Sequence, residues 1–284
     1  MNTRPLVLIA QRVPPGRVVY GTVVALQGNE MRLPRVRFAL LMAAALAGGT
    51  AGAAAQPKPP DVNAVLTRLD DLYRSKSSIA RIEVLVTGAR SARSMRLKAW
   101  TRGEDESLIV IDAPAREEGT ATLKVGANLW NYLPRIARTI RVPPSMMLGS
   151  WMGTDFTNDD LVKESSLRKD FDSRIDHRSE SPPGWWIRLD VKPGVVGRWA
   201  RMDLLVSDEW LPIEERHFDR KGRLARTMAF DEVKMLGGRK VPAHLTLTPA
   251  DNPEQRTEMR YLDVQFDAPI PDDTFSLSRL ERTR

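Results

Sequence analysis

The chain has 284 residues, with 43 lysines and arginines against 36 acidic residues, and no cysteine. The lack of cysteine excludes disulfides, thiol nucleophiles and cysteine-ligated metals, and we expect no lipid anchor on a lipobox cysteine. The number of residues after position 55 suits one all-β domain, although two smaller domains would also fit.

The first 60 residues predict secretion. Residues 31–37 are basic, residues 38–46 are almost wholly apolar, and the stretch ends at Ala53-Ala54-Ala55, as a secretory signal does. We therefore interpret residues 1–30 as an extension from a start codon assigned too early, 31–55 as a signal peptide and 56–60 as a proline-rich linker. An unusually long basic region and an uncleaved membrane anchor are the alternatives. The predicted location is the periplasm.

The leader also accounts for most of the formal net charge of +7. Residues 1–55 hold six of the 43 basic side chains and one of the 36 acidic ones, so that 37 and 35 remain. A surface so nearly balanced provides no overall field for binding phosphates, which argues against a nucleic-acid partner.

A predicted amphipathic helix starts at Asp61 and ends before the serines at 75–78. Its apolar side chains recur at helical spacing and must be buried against another element. They are Val62, Val65, Leu66, Leu69, Leu72 and Tyr73.

From Ile79 onward apolar and polar residues alternate with a period of two, most cleanly in residues 185–192. Turn residues at 219–222 and at Gly237-Gly238 separate consecutive strands as hairpins require. Strands with one polar and one apolar face predict an antiparallel sheet that is covered on one side only. We count roughly ten or eleven strands, at spacings typical of meanders and barrels.

Residues 143–165 lack this alternation, begin with two prolines and are predicted to form a helical or irregular excursion from the sheet. Because methionine side chains are flexible and adaptable, such a segment over the apolar face would form a soft lid. An ordinary core plug is the alternative. The large apolar residues clustered in this segment are Met146, Met147, Leu148, Trp151 and Met152.

Several stretches resemble the outer membrane lipoprotein-sorting proteins, the LolA-like group. The resemblance rests on Gly-Ala-Asn-Leu-Trp-Asn-Tyr-Leu-Pro at 126–134, Arg-Thr-Ile-Arg at 138–141, Met146, and Gly-Ser-Trp-Met-Gly-Thr-Asp-Phe-Thr-Asn-Asp-Asp-Leu at 149–161. The helix after the leader, the hairpin at 219–222 and the Gly237-Gly238 turn match the layout of that group. The resemblance therefore covers most of residues 61–284.

The resemblance implies an α+β fold: a mainly antiparallel, strongly curved sheet that forms an open, incomplete β-barrel with a helical lid, as in LolA and LolB. It also implies a carrier of the acyl chains of lipoproteins or other lipids across the periplasm toward an outer-membrane acceptor, with an inner-membrane exporter of the RND type as a partner. The expected cavity and lid residues are Trp130, Tyr132, Ile140, Met146, Met147, Leu148, Trp151, Met152, Phe156, Trp185 and Ile187. Arg135, Arg138 and Arg141 are expected either to dock an acidic partner or to form a solvated strand face.

The sequence does not favour an enzyme. Asp159 and Asp160 could act as a catalytic carboxylate pair, but Thr157 or Asn158 more simply caps a short helix with both aspartates in its first turn. A hydrolase elbow needs one residue between the glycine and the serine, and Ser150 follows Gly149 directly. The three histidines are far apart, so that we expect neither a metal nor a cofactor. A transporter adaptor that carries no lipid and a lipid-ester hydrolase remain as rival hypotheses.

Overall fold

The computed structural model describes residues 58–73, 75–163, 167–195 and 197–282. The predicted extension 1–30, the predicted signal peptide 31–55 and the first two residues of the linker lie outside these ranges.

Four α-helices are described: α1 Val62–Asp70, α2 Asn158–Lys163, α3 Leu167–Asp170 and α4 Leu277–Leu280. Thirteen strands are described: β1 Ser77–Gly88, β2 Ser91–Arg102, β3 Glu106–Ala113, β4 Ala121–Val125, β5 Asn128–Leu133, β6 Arg138–Arg141, β7 Phe171–Glu180, β8 Pro183–Val191, β9 Trp199–Val206, β10 Pro212–Asp219, β11 Leu224–Leu236, β12 Arg239–Pro249 and β13 Arg256–Phe266.

The strands form one antiparallel sheet in the order β6-β5-β4-β3-β2-β1-β13-β12-β11-β10-β9-β8-β7. The first and last strands of the chain pair at its centre, and β6 and β7 are its two edges. Over the described residues these edges do not pair with each other, so that the sheet is not closed. The predicted α+β fold with an open, incomplete barrel is confirmed, although the described strands number thirteen rather than ten or eleven.

Register shifts interrupt the pairing at several points and account for the curvature. They lie between Arg81 and Ile82 in β1 and between His217 and Phe218 in β10, among others. A bulge bends its strand and increases the local twist, so that repeated bulges curl a long sheet toward a barrel. The curled sheet has an inner face, on which the candidate site lies, and an outer face.

The chain crosses the inner face between the two sheet edges. Because β6 and β7 are at opposite edges, the chain between them must span the opening. Its described residues, 142–163 and 167–170, are here called the crossing segment. This segment contains a 3₁₀ turn at Pro144–Met146 and the helices α2 and α3. The predicted interruption of the strand pattern over 143–165 is therefore confirmed. The segment inserts Trp151, which is 3% exposed, against the inner face of β1 and β2.

Helix α1 also covers the inner face. The Asp61 side chain caps it by accepting a hydrogen bond from the Asn63 amide at 3.0 Å, which confirms the predicted start. The helix ends at Asp70, earlier than the predicted end before Ser75. Val65 and Leu66 are fully buried and pack on Ile187 and neighbouring residues of β8 and β9. Burial of such a side chain contributes about 1.5–3 kcal/mol.

The outer face of β3–β5 is covered by the C-terminal end of the described chain. Phe275 and Leu280 pack there against Leu108, Leu123 and Tyr132. The expectation of a sheet covered on one side only is therefore wrong for these strands, where both faces are buried. Among the described residues, no helix is long and apolar enough to cross a bilayer.

Candidate functional site

A cavity of about 300 Å³ lies on the inner face, beneath α1 and the crossing segment. Strand pairing places its walls on one continuous surface, since Ala99 pairs with Ile109 and Leu245 with Met259. Its volume is at the lower end of the range typical of small-molecule sites. The apolar wall includes Ile82, Leu97, Ala99, Met228, Leu245 and Met259.

Helix α1 and the turn after it form one part of the cavity roof. Leu69, Leu72 and Tyr73 line the cavity. The Tyr73 ring stacks on Tyr261 of β13 with centroids 4.8 Å apart, and its hydroxyl donates to the Pro242 carbonyl at 2.8 Å. These contacts hold the end of the helix against the strands that form the cavity wall.

The crossing segment forms the other part of the roof and is tied to the sheet by polar contacts. Trp151 Nε1 donates to Thr122 Oγ1 of β4 at 3.0 Å. The Asp155 amide donates to Thr257 Oγ1 of β13 at 2.9 Å, and the same hydroxyl donates to the Asp155 carboxylate at 2.7 Å. Arg93 of β2 donates to the Met152 carbonyl. The segment is therefore anchored to three separate strands.

Helix α2 begins with a reciprocal cap. Thr157 Oγ1 accepts from the Asp160 amide at 3.2 Å, while the Asp160 carboxylate accepts from the Thr157 amide at 2.7 Å. Asp159 and Asp160 both lie in the first turn, which confirms the predicted helix start. Such a pair of bonds satisfies two amides that the helix itself leaves open.

Asp160 also forms a buried ion pair with Arg226 of β11. The guanidinium donates from Nη1 and Nη2 to the two carboxylate oxygens at 2.7 and 2.9 Å. Burial alone would raise the pKa of Asp160, but the charge and hydrogen bonds of Arg226 outweigh it and hold this pKa below its ordinary value. The pair gives the crossing segment a fourth anchor, at the cavity wall.

His217 of β10 pairs directly with Arg226 in the sheet register and is 3% exposed. Its Nε2 lies 3.0 Å from Glu215 Oε2. Burial lowers the pKa of the imidazole, the nearby Arg226 charge lowers it further, and Glu215 offsets this only in part. His217 is therefore neutral at pH 7.

Trp199 of β9 packs against both residues. The Arg226 Cζ atom lies 4.5 Å from the centre of its ring, and the His217 ring meets it edge-on at 5.0 Å. All three side chains line the cavity. This group of Trp199, His217 and Arg226, here called the polar corner, adds hydrogen-bonding atoms beside the apolar wall. Other charged groups, Lys124 among them, line the cavity elsewhere.

Two of the residues expected from the sequence to bind lipid, Trp151 and Phe156, line the cavity. Met152 is half-buried and packs against the inner-face core beside Trp151, and Met147 is also half-buried. Ile140, Met146 and Leu148 are instead exposed on the surface, at 46%, 59% and 53%.

The four remaining aromatic and aliphatic candidates lie away from the cavity. Trp130 and Tyr132 belong to the outer-face cluster of β3–β5, beneath the C-terminal end of the described chain. Trp185 and Ile187 lie on the inner face but are covered by α1. The three arginines proposed for partner docking, Arg135, Arg138 and Arg141, are exposed.

Sequence reasoning missed the polar corner, although a signal was present. Arg226 shares the phase of Met228 and Phe230 in its strand, so that a charged residue falls on the apolar face of an alternating pattern. A charge in that position indicates a buried partner or a site. Its partner Asp160 lies 66 residues away, on the crossing segment.

Other side chains that could act as a nucleophile or as metal ligands form local contacts. Ser150 Oγ donates to the Thr154 carbonyl at 2.6 Å. Asp231, Glu232 and His244 lie close enough to share a metal ion, but His244 Nδ1 is 2.7 Å from Asp231 Oδ1. Hydrogen bonds from Arg260 and Lys234 lower the pKa of Glu232 to about 2. We interpret this group as a surface ion-pair network.

A family model described as "-like: Uncharacterized protein" matches residues 103–282. Among curated proteins none matches the chain. The fold resembles solved structures more clearly. A DUF1329 family protein from Desulfovibrio piger has a TM-score of 0.69 at 20% identity, over 76% of this chain and 96% of that one.

Two further crystal structures have the same fold. A protein described as a putative outer membrane lipoprotein-sorting protein domain, from Vibrio parahaemolyticus, has a TM-score of 0.64 at 20% identity, over 76% of this chain and 97% of that one. A LolA superfamily protein from Nitrosomonas europaea has a TM-score of 0.65 at 18% identity, over 78% and 100%. The predicted resemblance is thus confirmed at the level of the fold. The chain belongs to the uncharacterized-protein-like family of the matching model, and its fold is that of the LolA superfamily.

Proposed function

We propose that the protein is a periplasmic carrier that binds the acyl chains of lipoproteins or other lipids and passes them toward the outer membrane. The observation that carries the proposal is the apolar cavity of about 300 Å³ between the inner face and its two covers. The fold shared with a protein described by lipoprotein sorting and with a LolA superfamily protein supports it. The proposal assigns no chemical step to the protein.

The energetics of an acyl chain favour such a cavity. Each CH₂ group that leaves water gains about 0.8 kcal/mol, so that a carrier needs a continuous apolar wall. Met228, Leu245 and Met259 supply such a wall on adjacent strands, with two flexible methionine side chains that can adapt to cargo. Trp151 and Phe156 are the proposed lining residues of the roof.

Transfer also requires contact with membrane partners. We propose that these are an inner-membrane transporter of the RND type and an outer-membrane acceptor. The exposed Arg135, Arg138 and Arg141 are the proposed contact for an acidic partner surface. Exposed Met146 and Leu148 on the crossing segment supply apolar area that a docked partner would bury.

A matched pair of substitutions tests the proposal. Leu245 lines the cavity, whereas Leu262 of β13 is 48% exposed and lies outside it. Leu245→Trp should fill the cavity and weaken uptake of a fluorescent fatty acid at least tenfold, and Leu262→Trp should leave uptake unchanged. Equal uptake by both variants and the wild type would exclude the cavity as the binding site.

The native cargo is a separate question. Lipid extraction and native mass spectrometry of protein purified from its own periplasm should reveal a co-purified lipid or lipoprotein. A lipid-free protein that also fails to take up the fluorescent fatty acid would refute the carrier proposal and leave the adaptor hypothesis in its place.

A further inference from the structure

The polar corner contains two buried polar atoms without a hydrogen-bond partner. These are Arg226 Nε and His217 Nδ1, on side chains that are 6% and 3% exposed. The two residues pair directly across β10 and β11, where side chains on one face are close neighbours. Both line the cavity. An unpaired polar atom in a buried site is costly and indicates a position that a bound group can satisfy.

The chemistry of the two atoms is complementary. Arg226 uses Nη1 and Nη2 on Asp160, which leaves Nε–H as a donor. Because the Glu215 carboxylate can only accept, His217 carries its proton on Nε2 and presents Nδ1 as an acceptor. The corner therefore offers one donor and one acceptor side by side.

The charges at the corner do not favour an anion. Asp160 neutralises Arg226, and the Glu215 carboxylate beside the neutral His217 adds a further negative charge. An anion would meet the Nδ1 lone pair and two carboxylates, whereas a hydroxyl group can accept from one atom and donate to the other.

We propose that the polar corner binds the hydroxyl group of a neutral lipid alcohol whose chain occupies the apolar part of the cavity. The hydroxyl oxygen accepts from Arg226 Nε–H, and its proton is donated to His217 Nδ1. This inference rests on the carrier function proposed above and names the class of ligand. The Trp199 ring packs against both side chains that form these two hydrogen bonds.

The first test compares ligands on the wild-type protein. The neutral fluorophore N-phenyl-1-naphthylamine is displaced by 1-dodecanol, by dodecyl methyl ether and by dodecanoate. The ether can accept but not donate, and it partitions more readily out of water, so that a purely apolar site would favour it. We expect 1-dodecanol to displace the fluorophore at a roughly fivefold to tenfold lower concentration than the ether, because the ether lacks the one hydrogen bond to His217 Nδ1.

Each outcome decides one question. Equal or better displacement by the ether would overturn the inference while leaving the carrier function intact, and the corner would then hold only water. Stronger displacement by dodecanoate would also overturn it, in favour of an anion site. Failure of all three ligands to displace the fluorophore would instead count against the carrier function.

A matched pair of variants tests the assigned atom. His217→Gln places an amide near the Nε2 position, so that it keeps the donor toward Glu215 and removes the Nδ1 acceptor. His217→Asn places its oxygen near the Nδ1 position. The ratio of ether to alcohol concentrations needed for displacement should fall to about one in His217→Gln and stay above one in His217→Asn. A preference for the alcohol that is kept in His217→Gln and lost in His217→Asn would overturn the assignment. Thermal unfolding checks that both variants fold.

Discussion

The two covers of the cavity are held by different forces. Helix α1 is attached mainly by apolar packing, with Val65 and Leu66 fully buried on β8 and β9. The crossing segment is attached by directional contacts, including Trp151 to Thr122 and Asp160 to Arg226. Apolar packing is graded and non-directional, whereas a buried ion pair is stabilising only while both partners are present. The crossing segment should therefore respond to changes in charge, and α1 to changes in side-chain volume.

The largest effect is expected from breaking the buried ion pair. Arg226→Met leaves the Asp160 carboxylate buried without its counter-ion and should lower the free energy of unfolding by about 3–5 kcal/mol. Urea denaturation measures the loss. The double variant Asp160→Leu with Arg226→Met should recover a large part of it, because no charge is then left unpaired. Equal losses in the single and double variants would contradict the account.

A smaller but comparable loss is expected on α1. Leu66→Ala removes a fully buried side chain and should cost about 2–5 kcal/mol, independent of pH between 5 and 8. Arg68→Ala on the exposed face of the same helix is the control, with a change within about 0.5 kcal/mol. A helix that tolerates both changes equally would not be held by packing.

The polar corner predicts a pH dependence. Burial and the charge of Arg226 lower the pKa of His217, so that the unfolded chain binds a proton more readily than the folded one. Stability should therefore fall as the pH drops below the ordinary histidine value of about 6.5, by up to about 1.4 kcal/mol per pH unit.

The measurement is urea denaturation between pH 7 and 5, a window that lies above the ordinary range of carboxylates. Glu215, Asp160 and Arg226 are the charged groups that act on the pKa of the imidazole. The profile of His217→Gln should be flatter than that of the wild type. Parallel profiles would assign the pH dependence to other groups.

The smallest effects are expected at the two helix caps. Thr157→Ala removes the cap of α2 and should cost about 1 kcal/mol. Asp61→Ala removes the exposed cap of α1 and should cost less, because packing already holds that helix. A larger loss at Asp61 than at Thr157, in thermal unfolding, would reverse the proposed division between the covers.

The local structure was largely predictable because it follows from short-range patterns. The helix from Asp61, the alternating strands and the turn at Gly237-Gly238 all depend on neighbouring residues, and the two glycines adopt the positive φ values, 53° and 79°, that such a turn needs. The interruption at 143–165 was equally visible. Short strands such as β6, with four residues, are harder to count from alternation alone.

The site was less predictable because alternation fixes which residues share a face but not which face is the inner one. Trp130 and Tyr132 alternate correctly, yet they lie on the outer face, where the C-terminal end of the described chain buries them. Ile187 lies on the inner face, as its place in the alternation predicts, but α1 covers it. The ion pair between Asp160 and Arg226 joins distant parts of the chain, so that only the folded sheet brings the two residues together.

The most direct test of the carrier account is photo-crosslinking with a fatty acid that has a diazirine near the end of its chain. Peptide mass spectrometry then maps the labelled residues. The account predicts labels on cavity residues such as Met228, Leu245 and Met259, and their loss in Leu245→Trp but not in Leu262→Trp. Labels confined to exposed apolar residues such as Met146, Leu148 and Met235, unchanged in both variants, would contradict it.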